Sequence, residues 1–274
     1  MMTRRDLIAG MAAARLARGA ARCKIGITDW NLRMTVKPEA VATAARLGFD
    51  GVQISCGRQI ADNKMPLDAP EMIARYLAQS REHRIPIDGT CVDRLHDNGL
   101  KSDPLASRWV SDGIRLTRAV GTQVALLPFF GPWALTNRQE MDYAADRLRE
   151  LGPEAEKAGV LLGIEDTISA EDNVRIMERS RSGAVKVYYD VGNSTNNGFD
   201  VLREIRWLGK DRICQIHLKD RGMLGEGKIP FREVMQAIAG IGFDGYANLE
   251  TSVRSNQTLE ADQKANLEFI RGMM

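Results

Sequence analysis

Short apolar runs alternate with amphipathic stretches along the chain from residue 24 onward. The runs lie at Lys24–Thr28, Gly51–Ser55, 85–91, 123–128, 160–165, Val185–Asp190, Ile213–Leu218 and 245–250. Each has the length and apolar content of a buried strand. Between them, EMIARYLAQSREH, WVSDGIRLTRAV, MDYAADRLRELGPEAEKAG and FREVMQAIAGIG carry apolar residues at i, i+3, i+4 and i+7. That period predicts helices with one buried face. Gly48, Gly121, Gly159 and Gly242 stand just before the next strand, where a left-handed residue would stop each helix. Eight successive β-then-α units predict an α/β fold, a (β/α)8 TIM barrel, over residues 23–274.

An internal echo agrees with this count. LGFDGVQI at 47–54 and IGFDGYANL at 241–249 repeat one helix-stop-then-strand device 194 positions apart, as strands 2 and 8 of a barrel would. The alternative, a doubly wound open sheet, would carry a glycine-rich phosphate loop after its first strand. ITDWNLRM in that position has none.

At 274 residues the chain suits one large domain. Its 38 basic and 36 acidic side chains give a net charge of +2, which argues against a nucleic-acid-binding face. No run has the roughly 18 apolar residues that a membrane span needs. Cys23, Cys56, Cys91 and Cys214 are widely spaced and without a CxxC pair, so they read as buried small hydrophobes. Residues 1–22 stand apart from the barrel pattern. Thr3-Arg4-Arg5-Asp6-Leu7-Ile8 followed by AGMAAA resembles the start of a twin-arginine export signal, but Arg15 and Arg18 interrupt the apolar stretch. The segment is therefore read as a retained basic extension or a degenerate export signal. Cytoplasmic placement is slightly favoured over periplasmic.

The chemistry concentrates at the ends of four successive strands. Glu165 closes LLGIED, Asp190 closes VKVYYD, His217 lies in ICQIHLKD and Glu250 ends YANLE. In a parallel barrel, side chains at the C-terminal strand ends face one pocket. Three carboxylates and one imidazole suit a single hard or borderline divalent cation, Mn, Mg, Co or Zn. A cysteine-free set with open positions fits catalysis better than a structural role. Alternation along each strand would carry Gly163 and Leu161 inward with Glu165, Tyr188 with Asp190, Gln215 and Lys219 with His217, and Asn248 with Glu250.

GIEDT, YYDVGN, IHLKD followed by GEGKIPF, and YANLE resemble the xylose-isomerase-like TIM-barrel superfamily of sugar phosphate isomerases and epimerases. The resemblance spans residues 24–272 and is most specific from 160 to 250. It implies that Glu165, Asp190, His217 and Glu250 hold one divalent metal. It also implies that Glu165 and Glu250 act as acid and base on opposite faces of a bound sugar. Such a metal would polarise a carbonyl and acidify the neighbouring C–H. One glutamate would take that proton and the other would return it, giving an epimer or an aldose–ketose isomer. The expected partner is a small-molecule sugar or sugar derivative, with homo-oligomerisation open.

Two positions depart from the family pattern. Asn193 stands three residues after the strand-6 aspartate, where many relatives carry histidine, and Gln53 replaces a frequent glutamate at the end of strand 2. Asparagine can hydrogen-bond a substrate oxygen but cannot titrate near neutrality. His83, His96 and His217 are the only histidines, too few for the trinuclear zinc site of the AP endonuclease branch. Asn193, Lys219, Arg221, Trp30 and His96 are the candidate substrate contacts. Phe129, Phe130 and Trp133 are candidate walls for a sugar ring. The rival enzyme reading is a metal-dependent dehydratase of a keto-sugar or keto-inositol. The rival from another class is a sugar-binding barrel without catalysis.

Overall fold

The computed structural model describes residues 23–274. The readings of residues 1–22 lie outside the described residues. Eight strands, β1 (Lys24–Thr28), β2 (Gly51–Ser55), β3 (Ile87–Cys91), β4 (Val124–Pro128), β5 (Leu161–Glu165), β6 (Val185–Asp190), β7 (Ile213–Leu218) and β8 (Tyr246–Leu249), pair in sequence order. All pairings are parallel, and β8 closes on β1 through Lys24–Tyr246 and Gly26–Asn248. The predicted (β/α)8 barrel is the observed fold.

Helices α1 (Glu39–Leu47), α2 (Pro70–His83), α3 (Ala106–Ala119), α4 (Arg138–Ala158), α5 (Ala170–Ser180), α6 (Val191–Asn196), α7 (Val201–Arg212), α8 (Phe231–Gly240) and α9 (Leu259–Arg271) accompany them. The main core is the layer between sheet and helices, where Ile25, Ile27, Val52, Ile54, Leu162 and Ile216 meet helix residues such as Val41, Ile114, Leu148 and Val234. The glycines expected to stop helices do adopt positive φ, 93° at Gly48 and 68° at Gly159. Helix starts are capped by side chains at Asn137, Ser169 and Asp200. No helix among the described residues is long and apolar enough to cross a membrane.

Two irregularities decide what points into the barrel. Val52 pairs with Ile87 but Gln53 pairs with Gly89, so Asp88 is an extra residue in β3. Likewise Val187 pairs with Ile213 and Tyr188 with Gln215, leaving Cys214 extra in β7. Such bulges re-aim side chains that strict alternation would send outward. Asp88 is buried and bonds Asn248, while the Cys214 thiol donates to the Val187 carbonyl at 3.3 Å. Cys214 joins Cys91, Val124, Leu126 and Tyr188 in a small apolar cluster separate from the main core. Gly163 makes room for it: a Cβ there would lie 2.8 Å from the Cys214 sulfur. All four cysteines are buried and free, as small hydrophobes would be.

Candidate metal centre

The ends of β5 to β8 bring four donor groups together at the C-terminal rim. One atom each from Glu165, Asp190, His217 and Glu250 lies within 4.8 Å of all the others. His217 Nδ1 is 2.7 Å from Glu165 Oε1, 3.9 Å from Asp190 Oδ2 and 3.8 Å from Glu250 Oε2. Glu250 sits one residue past β8, and its backbone N–H still donates to Leu218 O at 3.1 Å, which fixes its place beside β7.

Each ligand is oriented by its surroundings. Asp190 caps α6: its Oδ1 accepts from the Asn193 N–H at 2.8 Å, and its Oδ2 is buried without a hydrogen-bond partner. A buried carboxylate oxygen with no donor is costly unless a cation or proton serves it. His217 is held from behind. Asn248 Nδ2 donates to Tyr188 Oη (3.1 Å), Tyr188 Oη–H to Gln53 Oε1 (3.0 Å), and the His217 Nε2–H to the same Gln53 oxygen (3.0 Å). With Nε2 as the donor, Nδ1 presents its lone pair to the three carboxylates. The Tyr188 ring lies 4.5 Å from the imidazole and Trp30 meets it edge-on at 6.0 Å.

The electrostatics of these side chains follow from the crowding. Burial, and then the Glu250 charge, push the Glu165 carboxyl well above its usual range. Burial raises Asp190 to about 7, opposed by Lys219. Burial lowers His217, which keeps the imidazole neutral and fit to ligate. Glu250 behaves differently. Burial pushes it up, but the Lys219 charge, together with hydrogen bonds from Lys219 Nζ (2.7 Å) and Trp30 Nε1 (2.9 Å), holds it below the usual range, and any protonation of His217 would lower it further. A lone pair 2.7 Å from a carboxylate oxygen, an orphaned Asp190 oxygen and a cysteine-free donor set fit a divalent cation.

The expected substrate contacts divide into three groups. Trp30 and Lys219 are at the centre, bonded to Glu250, and Lys219 is also 3.7 Å from Asp190. Asn193 follows Asp190 on α6 with a buried, unpartnered Nδ2. His96 stacks on Phe130, ring centres 6.3 Å apart, and burial lowers its pKa while the charges of Asp93 and Glu250 oppose that shift. Arg221 is exposed and faces a separate cavity. Phe129 is a core residue, Trp133 packs over Gly99, and His83 is exposed at the end of α2. The role of Gln53 as the partner of His217 is not readable from its neighbours in sequence. Gln53 lies in the middle of β2 rather than at the end expected from the sequence, and alternation within that strand is the only local signal for its inward direction.

The family described as xylose isomerase-like TIM barrel matches residues 41–273. A 2-epi-5-epi-valiolone 7-phosphate 2-epimerase from Actinoplanes sp. is 26% identical over 229 residues, 80% of this chain and 83% of that protein. A D-psicose 3-epimerase from Enterocloster bolteae is 24% identical over 266 residues, covering 82% of this chain and 86% of that protein. Among solved structures, D-psicose 3-epimerase from Clostridium cellulolyticum superposes with a TM-score of 0.77 at 20% identity, over 91% of this chain and 99% of that one. A 3-keto-D-glucoside 4-epimerase from E. coli does so with a TM-score of 0.72 at 16% identity, over 91% and 99%. With the family match running through all four donor strands, the chain belongs to the xylose isomerase-like TIM barrel family and is an enzyme of that family.

Proposed function

We propose that the protein is a divalent-metal-dependent epimerase or isomerase of a keto-sugar or sugar derivative, with Glu165 and Glu250 as its acid–base pair. The observation that carries this reading is geometric. Two glutamates from β5 and β8 approach one His217 nitrogen, at 2.7 and 3.8 Å, within a single donor cluster that also includes Asp190. The related epimerases of known substrate support a sugar as the ligand.

Glu165, Asp190, His217 and Glu250 would hold the metal. When bound, a divalent cation supplies polarisation of a carbonyl and its neighbouring hydroxyl, which acidifies the C–H between or beside them. Glu250, kept ionised by Lys219 and aimed by the Trp30 N–H, is fit to remove that proton. Glu165, deeply buried, is fit to deliver one from the β5 side. Trp30 and the His96–Phe130 stack supply apolar surface for a sugar ring.

Exchange of solvent deuterium into the substrate tests the assignment. Glu165→Gln and Glu250→Gln should each slow exchange by roughly 10²–10⁴-fold, the range expected for loss of an acid–base group. Undiminished exchange in both variants would overturn it. Loss of water from the product, read by mass, would point instead to the dehydratase.

A further inference from the structure

We propose that a cavity between the loops after β6 and β7 binds a phosphate monoester on the substrate, gripped by Arg221 and Lys228. This rests on the sugar-directed reading above and adds to it the charge of the substrate. The cavity has a volume of about 220 Å³ and is lined by Gly192, Thr195, Asp220, Arg221, Lys228 and Ile229, among others. It adjoins the candidate metal centre: Gly192 lies two residues past Asp190, and Arg221 two past Lys219. A Cβ on Gly192 would stand 2.9 Å from Lys219 Cβ, so glycine is what lets the two loops close together here.

The charges in this cavity are unbalanced in favour of an anion. Among the described residues, neither the Arg221 guanidinium nor the Lys228 ammonium has a carboxylate partner. Lys219, whose Cβ lies against Gly192 in the lining, is already bound to Glu250. The one carboxylate in the lining, Asp220, is already engaged. It accepts from the backbone N–H groups of Arg221 (2.8 Å), Gly225 (3.0 Å) and Gly227 (3.0 Å). These bonds wind residues 220–227 around Asp220, and Arg221 and Lys228, at either end of that turn, both line the cavity.

A guanidinium fork and a point-charge ammonium together suit a dianionic, tetrahedral group better than a monoanionic carboxylate. A phosphate seated here would anchor the far end of a sugar while its carbonyl end reaches the glutamates. Binding energy from that remote group could then serve the reaction at the metal.

The test uses the metal-loaded protein and two readouts. Inorganic phosphate is titrated calorimetrically into the native protein and into Arg221→Ala and Lys228→Ala, with metal content measured in each. Solvent-deuterium exchange is then followed for matched sugar pairs such as D-fructose and D-fructose 6-phosphate. Each variant should keep its metal and bind phosphate roughly tenfold to a hundredfold more weakly, as loss of one charge-assisted contact predicts. The native protein should favour the phosphorylated sugars, and the variants should lose that preference. Three results would overturn the proposal: no phosphate binding, binding untouched by both substitutions, or exchange into sugars that does not favour the phosphorylated member of each pair. Exchange into unphosphorylated sugars with no phosphate binding sinks this proposal and leaves the epimerase reading standing. Phosphate binding lost in the variants, with no exchange into any sugar, would do the reverse.

Discussion

The loop carboxylates after β1 and β3 and the strand-end carboxylates of β5 and β6 are all buried, and they are used in opposite ways. After β1, Asp29 accepts from the Ser55 hydroxyl on one oxygen (2.9 Å), and from the Ser55 N–H (3.0 Å) and Val36 N–H (3.1 Å) on the other. After β3, Asp93 accepts from the Gly57 N–H at 3.0 Å. These acids are knots that tie loops to strand ends. On the side of β5 to β8, Glu165 and Glu250 crowd an imidazole lone pair, and Asp190 keeps one oxygen with no donor at all. Burial alone does not separate the two groups, since Asp29 and Asp190 are both raised to about 7 chiefly by it. The difference is whether backbone N–H groups occupy the lone pairs. Oxygens filled by backbone N–H groups of a loop hold that loop; oxygens that converge on His217, with Asp190 Oδ2 lacking any donor, suit a cation.

Metal content breaks or sharpens this contrast most directly. The native protein should bind about one divalent ion, and the Asp190→Ala, His217→Ala double variant should bind none by elemental analysis, since half the ligand set is gone. Metal surviving the double change would show that the strand ends do not act together.

A smaller effect is expected one shell out. Gln53→Leu removes the acceptor that fixes the His217 ring and should weaken metal binding about 10–100-fold in a competition titration with a chelator. Affinity equal to native would mean the ring is held by packing against Tyr188 and Trp30 instead.

Protons and the metal compete for the same atoms. Burial raises folded Asp190 to about 7 and pushes Glu165 well above the usual carboxylate range. Metal binding must displace those protons, so affinity should fall as pH drops below about 7, near tenfold per pH unit for each proton released. A flat affinity profile between pH 5 and 7 would contradict this.

The smallest effect on metal should come from the loop carboxylates. Asp29→Ala leaves buried N–H groups without partners and should cost about 3 kcal/mol of stability in denaturant unfolding. Its folded fraction should bind metal as the native protein does. Lost metal affinity would erase the distinction between the two groups.

Much of this was legible in the chain. The eight apolar runs fall on the eight strands, with starts displaced by at most two residues, as at β3, which begins at Ile87. Strand starts are vague because an apolar residue entering a strand and one leaving a loop look alike. The helix-stopping glycines were readable because few other residues tolerate positive φ. Arg84 and Arg181, which end α2 and α5 in the same conformation at φ 54° and 53°, carried no such mark. The polar helix α6 also escaped notice, since VGNSTN has no apolar period and depends on the Asp190 cap.

The sequence by itself determined the barrel and the ligand strands, because period, strand length and terminal residue type are local properties repeated along the chain. Tertiary structure alone decided which polar groups are spent and which are free. Trp30 reaches Glu250 across 220 positions, Gln53 reaches His217 across 164, and Tyr188 reaches Gln53 across 135. The two bulges turn Asp88 and Cys214 inward against simple alternation. Closure of the sheet creates those contacts, since only a closed ring brings β2 and β7, or β1 and β8, to face one axis.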